Sequence, residues 1–80
     1  MARFYFHLDE CGTVTRDEDG VKRPDLAAAR EFAIDAARDV MAAEVRTGHL
    51  CLNCTIEVAD EQGVTMLVIP FNEAVSITGC

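Results

Sequence analysis

Positive charge is scarce in this 80-residue chain: seven Lys and Arg stand against fourteen Asp and Glu, a formal charge of −7. A phosphate backbone repels such a surface unless basic groups are concentrated somewhere. The only basic neighbours are Lys22-Arg23, while Arg30, Arg38 and Arg46 are dispersed among Glu31, Asp35, Asp39 and Glu44. Nucleic acid is therefore not an expected partner; the same balance suits a basic protein partner, or simply keeps the chain soluble. Long apolar runs are missing as well. The longest, Met66 to Phe71, has strand length against the roughly 20 residues of a membrane-spanning helix, so no membrane association is expected. No charged leader or small-residue cleavage site precedes Arg3-Phe4-Tyr5-Phe6, and the expected location is cytoplasmic. Repeats and low-complexity linkers are absent too, so residues 1–80 read as one domain. Catalytic signatures are equally lacking: there is no Walker loop, GxGxxG, GxSxG or HExxH, and no catalytic residue is expected.

What is present is globular composition, half apolar and about a quarter charged. A core this small supplies only about 3 to 5 kcal/mol, which makes self-association, most simply a homodimer, the expected supplement.

Two acidic glycine turns, Asp17-Glu18-Asp19-Gly20 and Asp60-Glu61-Gln62-Gly63, flank one alanine-rich segment. Before the first turn, residues 3–8 alternate, with Phe4, Phe6 and Leu8 on one face and Tyr5 and His7 on the other, as in a strand. Thr13 to Arg16 read as its returning partner, and Val21 to Arg23 either extend that partner past a bulge at Gly20 or lead into the helix. Pro24-Asp25 is a helix start, no proline or glycine interrupts Leu26 to Thr47, and Gly48 is a stop signal. At about 100° per residue, Leu26, Ala29, Ala33, Ile34, Ala36, Ala37, Val40, Met41 and Val45 fall on one half of this helix. Its alanine middle predicts a close approach to a sheet, with Phe32 to one side and partly exposed. Residues 52–59 alternate again.

Residues 64–71 are apolar on both faces, Met66 and Val68 on one and Leu67, Ile69 and Phe71 on the other, which suggests a doubly buried strand in a central position. The expected fold is α+β: hairpin, long helix, hairpin, forming a mainly antiparallel four-stranded sheet with one helix on one face. Either strand of the second hairpin could neighbour the first strand. One helix covers one face, so the other needs the tail Ala74-Val75-Ser76-Ile77 or another molecule. Tyr5, His7, Leu67, Ile69 and Phe71 are accordingly the candidate interface residues. The expected function is that of a non-enzymatic binding or regulatory module.

Four cysteines remain. Cys51-Leu52-Asn53-Cys54 is a single CxxC pair, whereas structural zinc sites usually draw on two close pairs. Cys11, Cys80, His7 or His49 could complete a ligand set only by bringing distant positions together. The pair also follows a helix instead of opening one, which removes the usual source of a reactive thiolate. No metal and no cofactor are expected, and the cysteines read as free thiols. An EF-hand reading of the first turn fails: with Gly20 at the sixth position, Thr15 falls first and Leu26 twelfth. His7, with no compelled partner, reads as a packed or hydrogen-bonded side chain.

Taken in order, Arg3-Phe4-Tyr5-Phe6-His7-Leu8, the stretch from Asp17 to Gly20 and on to Pro24-Asp25-Leu26, Ala29-Arg30, and Ile56 to Gly63 resemble a family of small bacterial stand-alone proteins. That family is a domain of unknown function with a YFHL-type opening strand. The resemblance spans residues 3 to about 75 and implies the hairpin, helix, hairpin layout but no activity, cofactor or catalytic residue. Residues 17–37, with the DEDG turn, the Pro-Asp-Leu element and the alanine-rich helix, are also similar to HicB-type antitoxins. That likeness implies an inhibitor of a basic protein, without the DNA-binding segment such antitoxins append.

Overall fold

Alternation over the opening residues builds the longest strand, β1 (Ala2–Glu10), followed by β2 (Thr13–Thr15), β3 (Val21–Arg23), the helix α1 (Leu26–Arg46), β4 (Thr55–Ala59), β5 (Thr65–Pro70) and a single helical turn, α2 (Phe71–Ala74). This computed structural model describes residues 1–79; Cys80 lies outside the described residues. β2 and β3 run antiparallel to the two ends of β1, with Leu8 opposite Thr15 and Phe4 opposite Val21. Residues 16–20 bulge out between them, so Val21 to Arg23 continue the returning strand past the bulge, and the sheet has five strands in place of four. The order is β2-β1-β4-β5, with β3 also on β1.

Helix α1 begins where the sequence predicts it to. The Asp25 carboxylate accepts from the Ala28 N–H at 2.8 Å, satisfying one of the unpaired donors of the first turn. At the far end, the N–H groups of Thr47 and Gly48 bond to the carbonyls of Glu44 and Val45. Ala29, Ala33, Ala37 and Met41, spaced every four residues, are buried against Phe4, Ile56, Val58, Ile69 and Phe71. Methyl groups along this stripe allow the helix to lie close over the sheet. Ala37→Leu is therefore expected to cost about 1 to 3 kcal/mol by overpacking, read as a lower urea midpoint with an unchanged slope. Val45 stays exposed beyond the end of the stripe, and Phe32 packs beside the core, its ring 4.6 Å from Phe6 and 4.5 Å beneath the Arg23 guanidinium.

The second hairpin departs from expectation. β4, not β5, is central: it pairs with β1 through Tyr5–Ala59 to Asp9–Thr55 and with β5 on its other side. β5 is an edge strand, and its two apolar faces have different fates. Leu67 and Ile69 turn toward α1 and join the core, whereas Met66 and Val68 are 44% and 50% exposed. Proline ends the strand, because the pyrrolidine has no N–H to give to a ladder, and Phe71 opens α2. Its ring is fully buried, and its N–H bonds to the Cys54 carbonyl at 2.9 Å. Three of the five interface candidates, Leu67, Ile69 and Phe71, are thus parts of the chain's own interior. The tail does not cross the outer face either: α2 packs against α1, and Arg38 Nε donates to the Ala74 carbonyl at 2.7 Å.

Candidate functional site

The two acidic turns meet at one end of the outer sheet face. Antiparallel pairing of β1 with β4 sets Tyr5 opposite Ala59, which brings residues 16–20 and 60–63 to the same end of the sheet. Arg3 joins them: its N–H donates to Glu61 Oε1 at 3.1 Å and its guanidinium to the Asp19 carbonyl at 2.7 Å. Between the turns lies a depression of about 270 Å³ lined by Tyr5, His7, Arg16, Asp17, Glu18, Ala59, Asp60, Glu61 and Gly63. Two sequence candidates, Tyr5 and His7, are therefore on the outer face as expected, lining this acidic depression.

Several polar groups in this depression are occupied by backbone. Asp17 Oδ1 accepts from the N–H groups of Asp19 and Gly20 at 3.2 and 3.1 Å, and Oδ2 from Phe6 at 3.2 Å. Burial opposes ionisation of Asp17, but the bonds from Gly20, Phe6 and Asp19, with nearby His7, outweigh it and hold the carboxyl below its usual range. Asp60 Oδ1 accepts from Gln62 and Val64, both at 2.9 Å, a side-chain-stabilised turn of the kind Asx residues make. His7 Nδ1 accepts from the Asp17 N–H at 3.0 Å, which assigns the proton of the neutral ring to Nε2. Gly20 is required here: at φ +73° an added Cβ would lie 2.8 Å from Arg3 Cγ and 3.0 Å from the Phe4 carbonyl oxygen. Glu18, Arg16 and the Tyr5 hydroxyl make no side-chain hydrogen bond among the described residues.

Beside this depression the outer face becomes apolar along β5, where Met66 and Val68 are 44% and 50% exposed, with Val64 just before the strand 54% exposed. No charged residue interrupts Thr65-Met66-Leu67-Val68-Ile69-Pro70.

A second constellation sits at the opposite end of β1. The turn after β1 and the segment before β4 are brought side by side, so that the Sγ atoms of Cys11, Cys51 and Cys54 all lie within 4.8 Å of one another. Cys11 and Cys51 are 3.1 Å apart. Sequence spacing placed Cys11 far from the pair; the available signal was strand register, since an antiparallel β1–β4 match with Leu8 opposite Ile56 carries Cys11 to the height of Asn53. Cys54 is buried, Cys51 half-buried and Cys11 exposed. Burial, then the bond and charge of Cys51, push the Cys54 thiol up to about 12, while Cys11 is raised mainly by its bond to Cys51. Cys51, accepting from Cys11 and Cys54 and from the Asn53 N–H, is lowered.

No helix among the described residues is long and apolar enough to cross a membrane. No curated protein and no solved structure matches the chain significantly. A family model does, over residues 3–72, covering both acidic turns, the alanine-striped helix and the whole sheet: the chain belongs to the family described as a domain of unknown function, DUF6894.

Proposed function

We propose that this chain is a small, non-enzymatic binding module that self-associates through β5 and the outer sheet face. The observation that carries the reading is the uncharged edge. A strand at the margin of a sheet offers unpaired N–H and C=O groups, and monomeric proteins guard such edges with lysine, inward charges or bulges. β5 carries no charged residue over its six and exposes Met66 and Val68, its guards being the register shift at Met66 and the closing Pro70; a second copy pairing antiparallel with it would cover both side chains. The acidic depression lies on the same face, and Asp17, Asp60 and Glu61 there are held by backbone N–H groups instead of being poised for proton transfer, which supports binding over catalysis.

Sedimentation equilibrium at micromolar concentration tests this. The wild type is expected to be a dimer, and Val68→Lys, with unchanged circular dichroism, a monomer. A wild type that stays monomeric at high concentration removes the reading. A second reading, an inhibitor of a basic protein as in HicB-type antitoxins, is favoured by Asp17, Glu18, Asp60 and Glu61 around one depression. It predicts a small basic protein retained in a native pull-down and released when Glu18 and Glu61 are changed to Lys.

A further inference from the structure

We infer that Cys11, Cys51 and Cys54 form a three-thiolate site for a soft divalent cation of the zinc type. A zinc–thiolate bond of about 2.3 Å in tetrahedral geometry requires sulfur atoms about 3.8 Å apart. Cys11 and Cys51 have sulfurs 3.1 Å apart and no pair of the three exceeds 4.8 Å, so side-chain movements of about an ångström would close the site. The three residues come from two segments far apart in sequence, and the β1–β4 pairing holds those segments together.

Backbone conformation supplies an independent sign. Cys11 is the non-glycine residue with positive φ, +53°, among the described residues. A Cβ in the left-handed region costs about 1 kcal/mol or more. Glycine would relieve that strain at Cys11, as it does at the adjacent Gly12, φ +92°; cysteine there keeps a thiol pointing at Cys51. The turn is further braced by the Gly12 N–H donating to Asp9 Oδ1 at 3.0 Å.

Charge fits the same assignment. Thiolate is the ligating form of cysteine, and a divalent cation takes the place of the protons that the ligating sulfurs give up. On binding, each protonated thiol loses its proton to solvent and forms a sulfur–metal bond, leaving a complex of net charge −1 when all three ligate. Uptake is therefore accompanied by proton release and weakens as pH falls. Soft sulfur donors select zinc-type ions over magnesium or calcium. The fourth coordination position is taken by water or by a donor from a partner, which makes the site exchangeable in character.

The test is anaerobic titration of the reduced full chain with Co2+ as a spectroscopic stand-in, followed by displacement with Zn2+. One equivalent is expected to produce thiolate-to-cobalt charge-transfer absorption and the visible bands of a tetrahedral ion, both lost on adding zinc. Cys11→Ser and Cys51→Ser, checked for retained fold by circular dichroism, are each expected to weaken binding about a hundredfold or more. Zinc is expected to raise the melting temperature of the wild type but not of Cys51→Ser. Absence of the cobalt spectrum while thiol titration shows the cysteines reduced overturns the site. Undiminished affinity in Cys11→Ser also overturns it, because binding would then belong to Cys51 and Cys54 alone.

Discussion

Phe71→Ala is expected to unfold a large share of the protein at 25 °C. The ring is fully buried where α2 turns under α1, and Phe→Ala truncations in cores cost about 3 to 5 kcal/mol through lost transfer energy and the cavity left behind. A domain of this size has about 3 to 5 kcal/mol in total. Removing one side chain therefore cancels most of the margin. Loss of far-ultraviolet ellipticity and of amide dispersion in the NMR spectrum is the expected readout. Phe71→Leu, which keeps most of the volume, should remain folded with a loss of about 1 to 2 kcal/mol. A wild-type urea midpoint in Phe71→Ala would mean that α2 does not close the core.

Asp17→Ala is the second large effect, from a residue that sits in a surface turn. Three backbone N–H groups, of Phe6, Asp19 and Gly20, converge on its carboxylate. Hydrogen bonds to a charged group contribute about 1.5 to 3 kcal/mol each when buried, and partial solvation here reduces the sum to about 2 to 3 kcal/mol. The sign of the pH dependence follows from a carboxyl held below its usual range. Its contribution is complete above the unfolded value of about 3.9 and disappears as pH falls through the lower folded value. Urea midpoints of wild type and Asp17→Ala are thus expected to differ at pH 7 and to converge in acid. Equal midpoints at pH 7 would show that the bulge between β2 and β3 holds its shape without the carboxylate.

Much of this architecture is legible in the residues. Alternation in Arg3 to Leu8, the Asp25 cap, and the alanine stripe each specify local structure through a single period or a single hydrogen bond, and all three elements form where expected. Strand order is a different kind of information. The apolar character of both faces from Met66 to Ile69 suits a central strand and an unprotected edge equally well, and only the β1–β4 pairing decides between them. Pro70 carried a usable warning that the strand stops before Phe71. Tyr5 and His7 lie on the outer face to which alternation alone assigns them, while Leu67, Ile69 and Phe71 lie inside because their face depends on which side the helix takes. The cysteine trio was hidden for a related reason: ligands from one CxxC and one remote turn are joined by register, which spacing does not encode.

The buried methyl stripe of α1 has a mechanical consequence. Equal small steps at Ala29, Ala33 and Ala37 make a smooth rail along which the rod could shift by four residues, about 6 Å, and meet nearly the same surface. Axial position must then be locked by features that do not repeat. Those are the Phe32 ring wedged between Phe6 and Arg23 and the clasp of Arg38 on the carbonyl of Ala74. Two detents outside the rail, one near each third of the rod, hold it where the rail alone would let it glide.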